Sequence, residues 1–117
     1  MCALRIARAN TCKNRIAKFE GGYHGLADEF MMSLHPFPEQ YPGPVHNPVG
    51  VPNSAGIPKS TSEDVVILPQ IDIENCTRIL RDNATDLACV IIELQTAAGG
   101  VVVMEKPFIQ ALREITS

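Results

Sequence analysis

The sequence has no tryptophan, and its four cysteines, Cys2, Cys12, Cys76 and Cys89, never fall in a Cys-x-x-Cys pair. Structural zinc and disulfide frameworks both need patterned cysteines, so neither is expected. His24, His35 and His46 stand apart from any cysteine or carboxylate cluster, and no metal site is expected. Lysine and arginine are scattered and the formal net charge is −3. That balance argues against nucleic acid as a partner, because phosphate binding needs grouped cations. No apolar run approaches the roughly 20 residues that cross a bilayer. Arg5 and Arg8 interrupt the first turns, so no signal-peptide core is present either. The expectation is a cytoplasmic protein without a membrane partner. Gly-x-Gly-x-x-Gly and P-loop strings are missing too, which removes the commonest phosphate cradles.

What is present suits one globular domain: 117 residues, 45% hydrophobic and 20% charged. Cys2 to Asn10 is rich in helix formers, and Asn10-Thr11 is a plausible stop. No cap precedes this helix, which suggests that a preceding segment has been removed. Arg15 to Glu20 reads as a strand, and Leu26, Phe30 and Leu34, four apart, predict a helix over 26–34. Seven of the nine prolines lie between Pro36 and Pro58, predicting one long irregular loop, drawn in full over 34–63. Loops of that length serve as lids, binding loops or disordered linkers.

Val65 to Leu68 reads as a buried strand. Asp72 is placed to cap a helix with Ile73, Cys76, Ile79 and Leu80 on one face, ended by Asn83. Ala88 to Ile92 is a continuous apolar run, as in a parallel strand covered on both faces. Pro107 opens a last helix carrying Phe108, Ala111, Leu112 and Ile115 at helical spacing. The sum is a doubly wound α/β pattern with three parallel strands, expected to be the middle of a larger domain.

Chemistry is expected where strands end, because open α/β sheets bind ligands at their carboxyl edge. Tyr23-His24-Gly25 follows the first strand after Gly21-Gly22, delivering an aromatic ring and an imidazole there. Such a ring can lie against a planar cofactor or simply pack. Glu93 follows the most apolar strand; a carboxylate there either serves a pocket or caps a neighbouring helix and meets solvent.

The strings Ala3-Leu4-Arg5-Ile6-Ala7-Arg8-Ala9, Lys13-Asn14-Arg15-Ile16 and Lys18-Phe19-Glu20-Gly21-Gly22-Tyr23-His24-Gly25 resemble the class III, fold type I pyridoxal-phosphate aminotransferases. Within that family they are most similar to glutamate-1-semialdehyde aminomutase and its near relatives. Gly50 to Pro58, Val90 to Glu93 and Gly99 to Val102 follow in the family's order. The resemblance implies that residues 1–117 are an internal piece of the cofactor-binding large domain, part of a three-layer α/β/α fold with a mostly parallel sheet. It implies pyridoxal 5'-phosphate as cofactor, an amino-acid or keto-acid substrate, and a homodimeric whole protein. It implies amino-group transfer between two substrates, or its shift between adjacent carbons of one. By the same resemblance, Tyr23 stacks on the cofactor ring, His24 stands beside it, Glu93 supports the pocket, and Pro36 to Pro58 closes over the site.

The family's catalytic lysine and the aspartate that pairs with the pyridine nitrogen correspond to positions after this chain, and its phosphate loop to positions before it. None of Lys13, Lys18, Lys59 and Lys106 matches the catalytic lysine, so no catalytic residue is expected in this segment. Leu94 to Gly100 departs from the family: Ala98 stands where ω-aminotransferases carry a glutamate, and Leu94 replaces the usual proline. The alternative expectation is a degenerate, non-catalytic α/β remnant that associates through exposed Phe108, Leu112 and Ile115.

Overall fold

The computed structural model describes residues 1–35 and 43–117. Among them, three parallel strands form the sheet, β1 (Arg15–Phe19), β2 (Val65–Leu68) and β3 (Leu87–Ile91), in the order β2-β1-β3. Ile16 pairs with Val65 and Cys89, and Lys18 with Ile67 and Ile91. The side-chain alternation of β1 separates two cores. Ala17 and Phe19 join Val66, Leu68, Cys76, Ile79, Leu80, Phe108 and Leu112 on one face. Ile16 joins Leu4, Phe30, Met32, Val65 and Ile67 on the other. Helix α1 (Cys2–Thr11) and the segment 28–33 therefore cover one face, and α3 (Ile73–Asp82) with α4 (Lys106–Ile115) the other. The three-layer α/β/α arrangement is the one expected from sequence.

Local chemistry explains the helix limits. Cys12 closes α1 in the left-handed region, its N–H donating to the Arg8 carbonyl at 2.9 Å. Asp72 caps α3, Oδ1 accepting from the Asn75 N–H at 3.0 Å. Ile71, immediately before that cap, is a β-branched residue at φ 55°, 58% exposed. Because side chains crowd the backbone there and no burial is at stake, Ile71→Asn is expected to stabilise the fold by about 1 kcal/mol. In a domain of this size that raises the thermal midpoint by roughly 4 °C in calorimetry. An unchanged midpoint would mean that Ile71 is not held left-handed in solution.

Four expectations need correction. Residues 26–34 do not form a helix; only a 3₁₀ turn, Asp28–Met31, is present. The backbone beyond it bonds across the chain instead: Ser33 N–H to the Val51 carbonyl at 2.6 Å and Asn53 N–H to the Met31 carbonyl at 3.0 Å. Phe30 and Leu34 are buried by this bend, while Leu26 is left exposed, so their spacing was not helical. Secondly, the stretch 34–63 is not irregular to its end, since α2 (Lys59–Asp64) starts after Pro58, whose φ of −59° suits helix entry. Residues 43–58 carry no helix or strand, and the expectations for 36–42 lie outside the described residues. Thirdly, β3 is half-buried along its length, because it contacts both cores but forms an edge of the described sheet. Lastly, Phe108 and Leu112 are buried against Phe19 and α3, so they offer no exposed association patch.

Candidate functional site at the strand ends

The chain leaves β1 toward β2 through the 28–33 face and passes from β2 to β3 through α3 on the opposite face. The strand order thus reverses at β1, and the carboxyl ends of β1 and β3 form the switch point, the place where open α/β sheets take ligands. Tyr23 and Glu93 meet there: the Tyr23 backbone N–H donates to Glu93 Oε2 at 3.2 Å. The bond joins the segments that follow β1 and β3, and Glu93 accepts from the Tyr23 backbone instead of capping a helix. Tyr23 itself is 45% exposed, so its ring contributes little to either core.

His24 turns inward. Its ring meets Phe30 edge-to-face, with centroids 5.6 Å apart. Nε2 is buried without a hydrogen-bond partner among the described residues, beside Gly22, where a Cβ would lie 3.1 Å from it. Burial holds the imidazole below its usual pKa; the Lys18 cation pushes the same way, and Glu93 opposes them. A neutral imidazole is thus favoured next to the exposed ring.

Two parts of this site escaped sequence reasoning. One is Lys18, fully buried, whose Nζ donates to the Met32 carbonyl. Burial lowers its pKa to about 8, against the pull of Glu20 and Glu93. Burial likewise raises the Glu20 carboxyl, with Lys18 opposing. The available signal was a cation at an inward position, two residues after Ile16. The other is a junction of loops. Gly21, at φ 74°, lies against Gly99 so closely that a Cβ on it would stand 2.7 Å from Gly99 Cα. Gln70 Nε2 clips this contact by donating to the Glu20 carbonyl at 2.6 Å, and Gly21 N–H donates to the Ser33 carbonyl at 2.8 Å. Gly99 sits in the turn of a hairpin, β4 (Gln95–Thr96) with β5 (Val102–Val103), of which the Gly-Gly pair between Thr96 and Val101 signals only the turn. Loops following all three parallel strands are thus tied together around Gly21.

The described rim of the proline-rich loop is tied down as well. Val51 N–H donates to Ser33 Oγ at 3.0 Å, and an Arg78 NH2 group donates to Asn47 Oδ1 at 3.2 Å. A cavity of about 260 Å³ opens instead at the opposite end of the sheet, lined by Lys13, Arg81, Leu87 and Thr116 among others. It lies at strand amino ends, away from the switch point where α/β sheets take ligands. No helix among the described residues is long and apolar enough to cross a membrane.

This parallel α/β/α segment has the fold of part of a solved transaminase. Over the length it spans, the chain is similar in sequence and fold to aminomutases and transaminases. It is 38% identical to glutamate-1-semialdehyde 2,1-aminomutase of Clostridium novyi over 116 residues, covering 99% of this chain and 25% of that one. The solved omega-transaminase of Sphaerobacter thermophilus is 36% identical with a TM-score of 0.86, over 99% of this chain and 26% of that one. A solved transaminase with pyridoxal phosphate bound is 31% identical with a TM-score of 0.84, over 98% and 25% respectively. The chain spans about a quarter of the length of these relatives. No protein-family model matches it.

Proposed function

We propose that this chain forms one wall of a pyridoxal 5'-phosphate site in an amino-group-transferring enzyme, an aminotransferase or an aminomutase acting on an amino acid or keto acid. The whole protein would work as a homodimer in the cytoplasm. The observation that carries this reading is the bond from the Tyr23 backbone to Glu93 between the carboxyl ends of β1 and β3, with the tyrosine half-exposed.

The residues present fit one face of a planar cofactor. Tyr23 supplies an exposed ring on a backbone held by Glu93, and His24 adds an imidazole whose Nε2 has no partner among the described residues and whose pKa burial lowers. When bound, the cofactor supplies the electron sink for amino-group chemistry. The chain's part is to orient the ring and set the charge around it. Lys18 does not serve as the covalent anchor, because its Nζ is buried and engaged by the Met32 carbonyl.

Tyr23→Ala is expected to weaken pyridoxal-phosphate binding by about 0.5–1.5 kcal/mol, roughly two- to tenfold in Kd, with Tyr23→Phe near wild type. Spectrophotometric titration with the cofactor checks this. Failure of the protein to bind pyridoxal phosphate, or binding indifferent to Tyr23→Ala, would overturn the reading.

A further inference from the structure

We propose that Gln70 is a positioning residue of the strand-end site: its side-chain amide carries the β1–β2 ladder one rung beyond the strands and clamps Gly21 to Gly99, so that the loop after β2 sets the spacing of the two segments that carry Tyr23 and Glu93. Its functional meaning rests on the reading of Tyr23 and Glu93 given above.

The ladder between β1 and β2 ends on an exchange of donors. Phe19 pairs with Leu68, and the Glu20 N–H donates to the Leu68 carbonyl at 3.0 Å. In a parallel register the Glu20 carbonyl would next accept from the backbone N–H of residue 70. Here it accepts from the side chain of that residue, Gln70 Nε2 donating at 2.6 Å. The backbone has turned away, with Ile71 left-handed at φ 55°. This loop is a firm mount for the amide. Cys76 Sγ donates to the Pro69 carbonyl at 3.3 Å on one side of Gln70, and Asp72 caps α3 on the other.

The same nitrogen lies over both glycines of the loop junction. A Cβ on Gly21 would stand 3.2 Å from Gln70 Nε2, and one on Gly99 would stand 2.8 Å from it. Residues without side chains let the two backbones meet while the amide still reaches the Glu20 carbonyl. From this point hydrogen-bonded connections lead to both site residues. Toward Tyr23, the Gly21 N–H donates to the Ser33 carbonyl at 2.8 Å and the Gly22 N–H to the Phe19 carbonyl at 3.0 Å. Toward Glu93, the buried Thr96 hydroxyl donates to the Gly100 carbonyl at 2.8 Å across the hairpin turn, and the Met104 N–H donates to the Leu94 carbonyl at 2.9 Å at its base. The Tyr23 N–H to Glu93 bond at 3.2 Å thus closes a ring of contacts whose opposite side is Gln70.

The test is amide NMR of the isotopically labelled chain without cofactor, followed by spectrophotometric titration with pyridoxal phosphate. Gln70→Ala is expected to move the Gly21, Tyr23 and Gly99 amide signals and to weaken cofactor binding about two- to tenfold, the range of one lost hydrogen bond. Gln70→Glu keeps the shape of the side chain but, ionised at neutral pH, has no proton to donate, so its amide pattern should match that of Gln70→Ala there. Below the pKa of the introduced carboxyl it donates again, and the pattern should return toward that of wild type at the same pH. Comparison at equal pH removes the titrations of Glu20 and Glu93, which wild type shares. A glutamine that only stabilises would lower the thermal midpoint in both variants yet leave the Tyr23 and Gly99 amides in place, which overturns the proposal. Unchanged cofactor affinity beside moved amides overturns it too. Should the wild type bind no pyridoxal phosphate, the reading of the site fails, and the amide signals alone decide on Gln70. If Gln70→Ala does not fold, Gln70→Glu decides: amides that acid does not return toward wild type refute the positioning role.

Discussion

Gly21→Ala is expected to cost about 2–5 kcal/mol of folding stability, the sum of left-handed strain and overpacking. Gly21 sits at φ 74°, and its Cβ would meet Gly99 Cα at 2.7 Å and Gln70 Nε2 at 3.2 Å. Gly99 has no side chain to move aside, so backbone must shift. The loop after β1 and the hairpin turn would separate, and the Glu20 carbonyl would move relative to Gln70. Gly25→Ala is the control: Gly25 also has positive φ, 105°, but nothing lies within 4 Å of its Cβ position. Urea unfolding of the two variants separates strain from collision. Equal losses would show that the Gly21–Gly99 junction is not packed in solution.

Phe19→Ala is expected to be as damaging, at about 3–5 kcal/mol. Phe19 closes the central strand, is almost fully buried, and meets Phe108 edge-to-face with centroids 5.8 Å apart. Truncation empties the contact between sheet and α4, and the neighbours are regular elements that cannot collapse into the space. Typical domains hold only about 5–15 kcal/mol, so this variant would lie near unfolding at ambient temperature. Guanidinium denaturation should show a lower midpoint with an unchanged slope. A double-mutant cycle with Phe108→Ala should return a coupling of about 0.5–1.5 kcal/mol. A loss below about 1 kcal/mol for Phe19→Ala alone would contradict the packing described here.

The aminomutase and transaminase names found among the relatives describe different reactions on related folds. Ala98 lies in the hairpin turn beside Gly99, on a loop that the Gly21 junction positions.

Much of the architecture was legible in the sequence by itself. The three strands, α1, α3 and α4 follow from apolar periodicity, the Asp72 cap and Pro107, because these signals act over a few residues. The placing of Tyr23-His24 and Glu93 at strand ends was equally readable, since a strand's direction and its terminating residues are local properties. Tertiary structure decided the rest. The spacing of Leu26, Phe30 and Leu34 mimicked a helix, but hydrogen bonds to Val51 and Asn53, some 18 to 22 residues away, hold that segment bent. Lys18 reads as an ordinary exposed cation until its burial and the Met32 carbonyl against its Nζ are seen. Gly21, Gln70 and Gly99 are three unremarkable residues in sequence, and only the parallel alignment of β1, β2 and β3 brings their loops into contact. Periodicity and capping belong to one stretch of backbone; charge compensation and glycine-to-glycine contact belong to stretches that the chain joins only by folding.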